Sequence, residues 1–220
     1  MEQNVFLLVI FAAFLHAIWN GMVKNYKDKV ISVSAIVFGH VPIAILVMLF
    51  LPLPTIESVP YIILSAIIHQ GYQYYLISAY KVGDLTKVYP IARGTGPIVA
   101  TIISVIFLGI LITKFQTLSI ALICFGIIIL GIFSESSIKN NKAVIYSLAT
   151  GFFIGLYSLA DGHGARISQS PLNFLGWSFI LNAMIFPIIL KYMGYSHVFS
   201  RVIKEAKLIF WVGGTLSYIV

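Results

Sequence analysis

The chain has 220 residues, of which 60% are hydrophobic and 10% charged, with a net charge of +7 and a mean hydropathy of +0.99. A soluble core of this size does not need so much apolar surface, and several runs exceed the roughly 18 apolar residues that span a bilayer core, which predicts an all-α, polytopic membrane helix bundle. The basic balance fits cytoplasmic loops beside anionic lipid, and no basic stripe interleaved with aromatics stands outside the apolar runs, so nucleic acid is not an expected partner.

The single cysteine, Cys124, lies mid-helix and excludes an intrachain disulfide and any Cys-based metal cluster. The first apolar run, residues 5–23, has no basic n-region and no small-residue cleavage site and ends in Trp-Asn-Gly, so it reads as a retained helix. Its second half carries His16, Trp19 and Asn20 at i, i+3 and i+4, on one helical face. Two uses fit that face: a substrate-facing triplet, or a hydrogen-bonding clasp to neighbouring helices. A short basic link, Lys24 to Lys29, leads to a second helix over 30–51, with His40 and Pro42 near its middle and Pro52 and Pro54 after it.

The third helix, 61–80, is rich in amphipathic groups: His69, Gln70, Tyr72, Gln73, Tyr74 and Tyr75. His69 and Gln73 sit one turn apart, as a packing network or part of a site, and the tyrosines also suit an interfacial aromatic belt. The fourth helix opens with Val88-Tyr-Pro-Ile-Ala-Arg-Gly-Thr-Gly-Pro97 and continues as the apolar run 98–111. Pro90, Gly94, Gly96 and Pro97 predict a helix break there, which survives in hydrocarbon only where protein or a water-filled cavity satisfies the freed backbone groups. Arg93 either faces that cavity or snorkels toward the interface, since Lys87 is only roughly 9 Å of helix away. A guanidinium lining a cavity favours a carboxylate or phosphonate-like group on a substrate. The fifth helix, 115–133, has almost no polar side chain and suits lipid facing or packing.

The polar stretch 134–142 is the one internal boundary, and the pattern restarts at Ala143. A shift of 138 residues lays Phe14-Leu-His-Ala-Ile-Trp-Asn20 on Phe152-Phe-Ile-Gly-Leu-Tyr-Ser158, which sets Tyr157 opposite Trp19, and lays Phe38-Gly39 on Gly176-Trp177. The expected repeats are therefore 1–138, with five helices, and 143–220, with helices at 143–160 and 172–193 and the start of another at 208–220. Counterparts of helices four and five are missing from the second repeat, so the chain is expected to be truncated. An odd number of helices per repeat makes the repeats inverted, an arrangement that puts a binding site near the midplane.

Ala13-Phe-Leu-His-Ala-Ile-Trp-Asn20 with Val23-Lys24, and Ala79-Tyr-Lys-Val-Gly-Asp-Leu-Thr-Lys-Val-Tyr-Pro-Ile-Ala-Arg-Gly-Thr-Gly-Pro97, together resemble the EamA-like family of the drug/metabolite transporter superfamily. The resemblance covers nearly the whole chain. It implies a multi-pass carrier of a bacterial plasma (inner) membrane, built from two inverted five-helix repeats, moving metabolites, amino acids or drugs, commonly outward. It also implies that Trp19, Asn20, Tyr89, Arg93 and polar positions of the third helix line a central cavity. Many relatives end the fourth helix with Gly-Glu, whereas Gly109 here is followed by Ile110, so the carboxylate often found there is absent.

Asp161, His163 and Arg166 invite a proton-relay or metal reading, but Asp161-Gly-His-Gly164 reads as a solvated turn without the further ligands a metal needs. No Gly-x-Ser-x-Gly elbow, Walker loop or His-Glu-x-x-His pair occurs, so the common hydrolase, ATPase and zinc-protease signatures are absent and no enzyme is expected. Basic residues crowd the odd-numbered links, which puts the amino terminus outside, whereas the resemblance puts it inside.

The expected function is secondary transport, with export as the expected direction, of a small polar or amphipathic metabolite by alternating access. Its binding face comprises His16, Trp19, Asn20, Gln73, Tyr89, Arg93 and Tyr157. The competing expectation is a non-transporting membrane partner or assembly subunit, in which the same groups only knit helices together. The expected partners are the small-molecule substrate, the lipid bilayer and a second copy of the chain in a homodimer; no cofactor or metal is expected.

Overall fold

The computed structural model describes residues 3–83, 85–132, 141–168 and 170–220, and among them every regular element is helical. The order is α1 (Gln3–Asn25), α2 (Lys29–Met48), a 3-10 turn (Ile56–Ser58), α3 (Val59–Val82), α4 (Leu85–Leu108), α5 (Lys114–Ile132), α6 (Asn141–Ile167), α7 (Pro171–Tyr192), α8 (Val198–Glu205), a π-helical turn (Ile209–Gly213) and α9 (Gly214–Ile219). Among the described residues, five helical stretches are long and apolar enough to cross a membrane: Phe6–Asn25, Lys29–Met48, Thr86–Leu108, Asn141–Ile167 and Pro171–Tyr192. Their length and composition suit a membrane protein.

Two expectations are corrected, and one helix was not expected. The turn read at Asp161-Gly-His-Gly164 is helix, because α6 runs on to Ile167. In apolar surroundings a continuous ladder satisfies backbone groups that an open turn would leave unpaired, and Gly164 is buried. The break expected at Pro90, Gly94, Gly96 and Pro97 is absent, since α4 is one unbroken helix with both prolines inside. Each proline removes a single backbone donor, and the turns on either side hold. Finally, α8 was hidden from any search for apolar runs, being eight residues long with Ser200, Arg201, Lys204 and Glu205 among them. The boundary expected within 134–142 falls mostly on residues 133–140, outside the described residues.

Contacts divide the chain into two compact units, one made of Met1–Ala66 with Ile167–Val220 and the other of Ile67–Arg166. Each expected repeat is shared between both units.

In the first unit α2 is the central helix, with Val30 to His40 buried as a continuous run. It runs antiparallel to α7: Phe38 packs on Phe186 with ring centroids 5.8 Å apart, and a Cβ on Gly176 would lie 2.4 Å from the Met48 methyl. Asn173 of α7 donates to the Pro52 carbonyl just beyond the end of α2. The π-helical turn and α9 lie against α2 at Gly39, where an added Cβ would stand 2.2 Å from the Phe210 carbonyl oxygen.

The link between α1 and α2 is tied on both sides. The Lys29 ammonium donates to the Val23, Lys24 and Tyr26 carbonyls, closing the end of α1. Asp28 caps α2, its Oδ1 accepting from the Val30 and Ile31 amides, while its Oδ2 accepts from Arg201 of α8 at 3.1 Å.

In the second unit α6 is the common partner of α3 and α4. Gly71 lets Phe153 lie on α3, where Tyr75 stacks on the Phe153 ring at 5.5 Å. Gly151 and Gly155, four residues apart, form a small-residue face against α4: Cβ atoms there would meet the Ala92 and Gly96 carbonyls at 2.6 and 2.9 Å. On the other side of α4, Gly94 receives Ile123 and Ile127 of α5. The rest of α5 is mostly exposed and apolar, as its composition led us to expect.

Candidate functional site

The candidate residues fall into two groups, one in each unit. On α1, His16, Trp19 and Asn20 share a face and are each half-buried. The His16 and Trp19 rings meet edge to face at 4.9 Å, and the Asn20 amide donates to the His16 carbonyl at 2.7 Å. Asn20 is therefore held by its own helix one turn back, which orients it without a second element.

The second unit gathers the other group around Arg93. On α3, residues 69, 72, 73, 76 and 80 follow helical spacing, so His69, Tyr72, Gln73 and Tyr80 project from one stripe. On α4, Tyr89 and Arg93 are one turn apart, with the guanidinium carbon 5.4 Å from the Tyr89 ring centroid. From α6, Tyr157 stacks on His69 at 4.3 Å and 23°, and meets Tyr72 edge to face at 5.5 Å. Tyr72, Tyr157 and Tyr89 all lie within electrostatic reach of Arg93. Gln73 is buried, with 2% of its surface exposed.

Arg93 is thus set among tyrosines from three helices. Desolvated aromatic faces and hydroxyls suit a guanidinium, and such a lining also accepts the apolar body of an amphipathic ligand while the cation pairs with an anionic group. The four positions Pro90, Gly94, Gly96 and Pro97 contribute otherwise than expected: the glycines admit neighbouring side chains, Gly94 that of Ile127 and Gly96 that of Ile154.

Sequence reasoning did not assign three members of this cluster to the site. Tyr72 was left open between the third-helix site and an aromatic belt; it packs on Tyr157, just as Tyr75 packs on Phe153. Tyr80 went unmarked, although it lies two turns beyond Tyr72 and interacts electrostatically with Tyr72, Tyr89 and Arg93. Asp161 was placed in a solvated turn; it is a half-buried residue of α6, one turn beyond Tyr157 and within its electrostatic reach. Spacing would have found Tyr80, whereas Asp161 was concealed by the glycines around it.

No family model matches the chain, and the searches of curated proteins and of solved structures also found no match.

Proposed function

We propose that this protein is a secondary membrane carrier of the EamA type that moves a small polar or amphipathic metabolite by alternating access. The observation that carries the proposal is the setting of Arg93, a cation half-buried on an apolar helix among Tyr72, Tyr89 and Tyr157. An ionisable residue at such a position is expensive unless it is used, and binding or a permeation pathway is its usual role. The substrate therefore carries an anionic group for Arg93 and an apolar or aromatic portion for the tyrosines and His69.

Two further features support transport. Asp161 is a carboxylate on the helix that also supplies Tyr157, a residue type suited to coupling transport to a proton gradient. His16, Trp19 and Asn20 supply a second polar face on an otherwise apolar helix. Export is the direction that the family resemblance favours.

The test is reconstitution of the purified chain in liposomes loaded with candidate carboxylated metabolites, followed by counterflow of the labelled compound. Flux should vanish in Arg93→Ala and fall in Trp19→Ala while both variants remain folded. Equal flux in variants and wild type removes the site assignment. No flux for any tested compound in folded wild type, with the cluster intact, favours a non-transporting assembly subunit.

A further inference from the structure

The first unit has a strongly basic end. The Asp28 to Arg201 contact brings α8 to the start of α2, and the antiparallel packing of α2 and α7 brings Lys191, near the end of α7, to the same end. Lys24, Lys27, Lys29, Lys191, Arg201, Lys204 and Lys207 therefore gather there, against the carboxylates Asp28 and Glu205. The opposite end of α2 and α7, residues 49–58 and 170–172, carries Glu57 as its one ionisable side chain.

Not all of these cations are free for a ligand. Lys29 is bonded to the carbonyls of α1, and Arg201 is divided between Asp28 and both oxygens of Glu205. The Glu205 hydrogen bonds, followed by that to Asp28, push the Arg201 pKa up, so its guanidinium stays charged. Lys191 and Lys204 are exposed, and neither has an ion pair among the described residues.

Beneath that end lies a cavity of about 350 Å³ lined wholly by apolar residues, among them Val41, Pro42, Ala183, Met184, Pro187 and Phe199. It reaches from Phe199, in the first turn of α8, down toward the middle of α2 and α7. Met184, Pro187 and Lys191 follow the i, i+3, i+7 spacing of one face of α7, so the lysine stands one turn above the apolar lining. The α8 helix has the form of an interfacial helix: Val198 and Val202 are buried against the unit, Phe199 is 56% exposed, and its polar residues occupy the other face.

An apolar slot with the exposed Lys191 one turn above it, at a basic end of the unit, matches a lipid with an anionic head. We infer that the groove between α2, α7 and α8 is a binding site for one anionic phospholipid, its acyl chain in the cavity and its phosphate held by Lys191. By the charge rule, which runs against the orientation the EamA resemblance implies, the basic end faces the leaflet that carries anionic lipid, the cytoplasmic one. The occupant is a membrane lipid rather than the transported solute, so the inference stands or falls independently of the carrier proposal.

Native mass spectrometry of the protein released from nanodiscs tests it, with phosphatidylglycerol and phosphatidylcholine of identical chains in equal amounts. Wild type should retain phosphatidylglycerol preferentially, and Lys191→Gln should lower that preference by roughly 5-fold. Met184 is 70% exposed, so Met184→Trp fills the cavity without disturbing the core and should lower retention of both lipids. Circular dichroism establishes that the variants are folded. Equal retention of the two lipids by wild type, or an undiminished preference in Lys191→Gln, overturns the inference, as does unchanged retention in Met184→Trp.

Discussion

The Tyr157 ring stacks on the His69 imidazole at 4.3 Å and 23°, joining α6 to α3 beside Arg93. Aromatic pairs of this kind contribute about 1 kcal/mol beyond the area they bury. Tyr157→Phe preserves the stack and removes only the hydroxyl, so thermal unfolding in detergent should be nearly unchanged while substrate affinity falls. Tyr157→Ala removes the ring from its contacts with both His69 and Tyr72 and should destabilise the protein by about 3 kcal/mol.

The approach of α6 to α4 depends on missing side chains. A Cβ on Gly151 would lie 2.4 Å from the Thr95 Cβ and 2.6 Å from the Ala92 carbonyl oxygen, neither of which is a flexible side-chain end. Gly151→Ala should destabilise by about 1–3 kcal/mol. On the same helix nothing lies within 4 Å of a Cβ on Gly162, so Gly162→Ala should leave stability unchanged or raise it by up to about 1 kcal/mol. Paired melting curves of the two variants check the contrast.

Asp28 has two jobs that separate by mutation. Its Oδ1 caps α2 and its Oδ2 pairs with Arg201, whose side chain is 43% exposed. Screening leaves such an ion pair worth less than about 1 kcal/mol, whereas loss of the cap costs about 1 kcal/mol by itself. Asp28→Ala should therefore be more destabilising than Arg201→Ala, and only the ion-pair part should respond to added salt.

Much of the architecture was legible because apolar length is a strong signal. The runs holding α1, α2, α4, α6 and α7 each exceed what a soluble helix needs, and the structure has helices there. Hydrophobicity fails where helix and turn share a composition, and Gly162 and Gly164 made a helical segment look like a loop. It also fails at α8, where charged residues mask eight helical positions. For the site, residues on one helix were readable from spacing: His16, Trp19 and Asn20, or Tyr89 and Arg93. The meeting of Tyr157 with His69 and Tyr72 was not, since nothing local to either helix states which face of α6 meets α3. Proline content likewise misled at Pro90 and Pro97, because the loss of one backbone donor does not by itself unwind a long helix.

Asp161 separates coupling from binding. If it carries the transported proton, Asp161→Asn should abolish accumulation driven by a pH gradient while leaving substrate-for-substrate exchange intact. Measuring both in the same liposomes tells the roles apart, and loss of both activities together would place Asp161 in substrate binding instead.

The central claim is that Arg93 holds an anionic group of the transported metabolite. Its most direct test is counterflow of a carboxylated metabolite against its neutral amide, in wild type and in Arg93→Gln. The account predicts a wild-type preference of about tenfold or more for the carboxylate, set by one charge-assisted hydrogen bond of roughly 1.5–3 kcal/mol, and its disappearance in the folded variant. The same preference in Arg93→Gln as in wild type would contradict it.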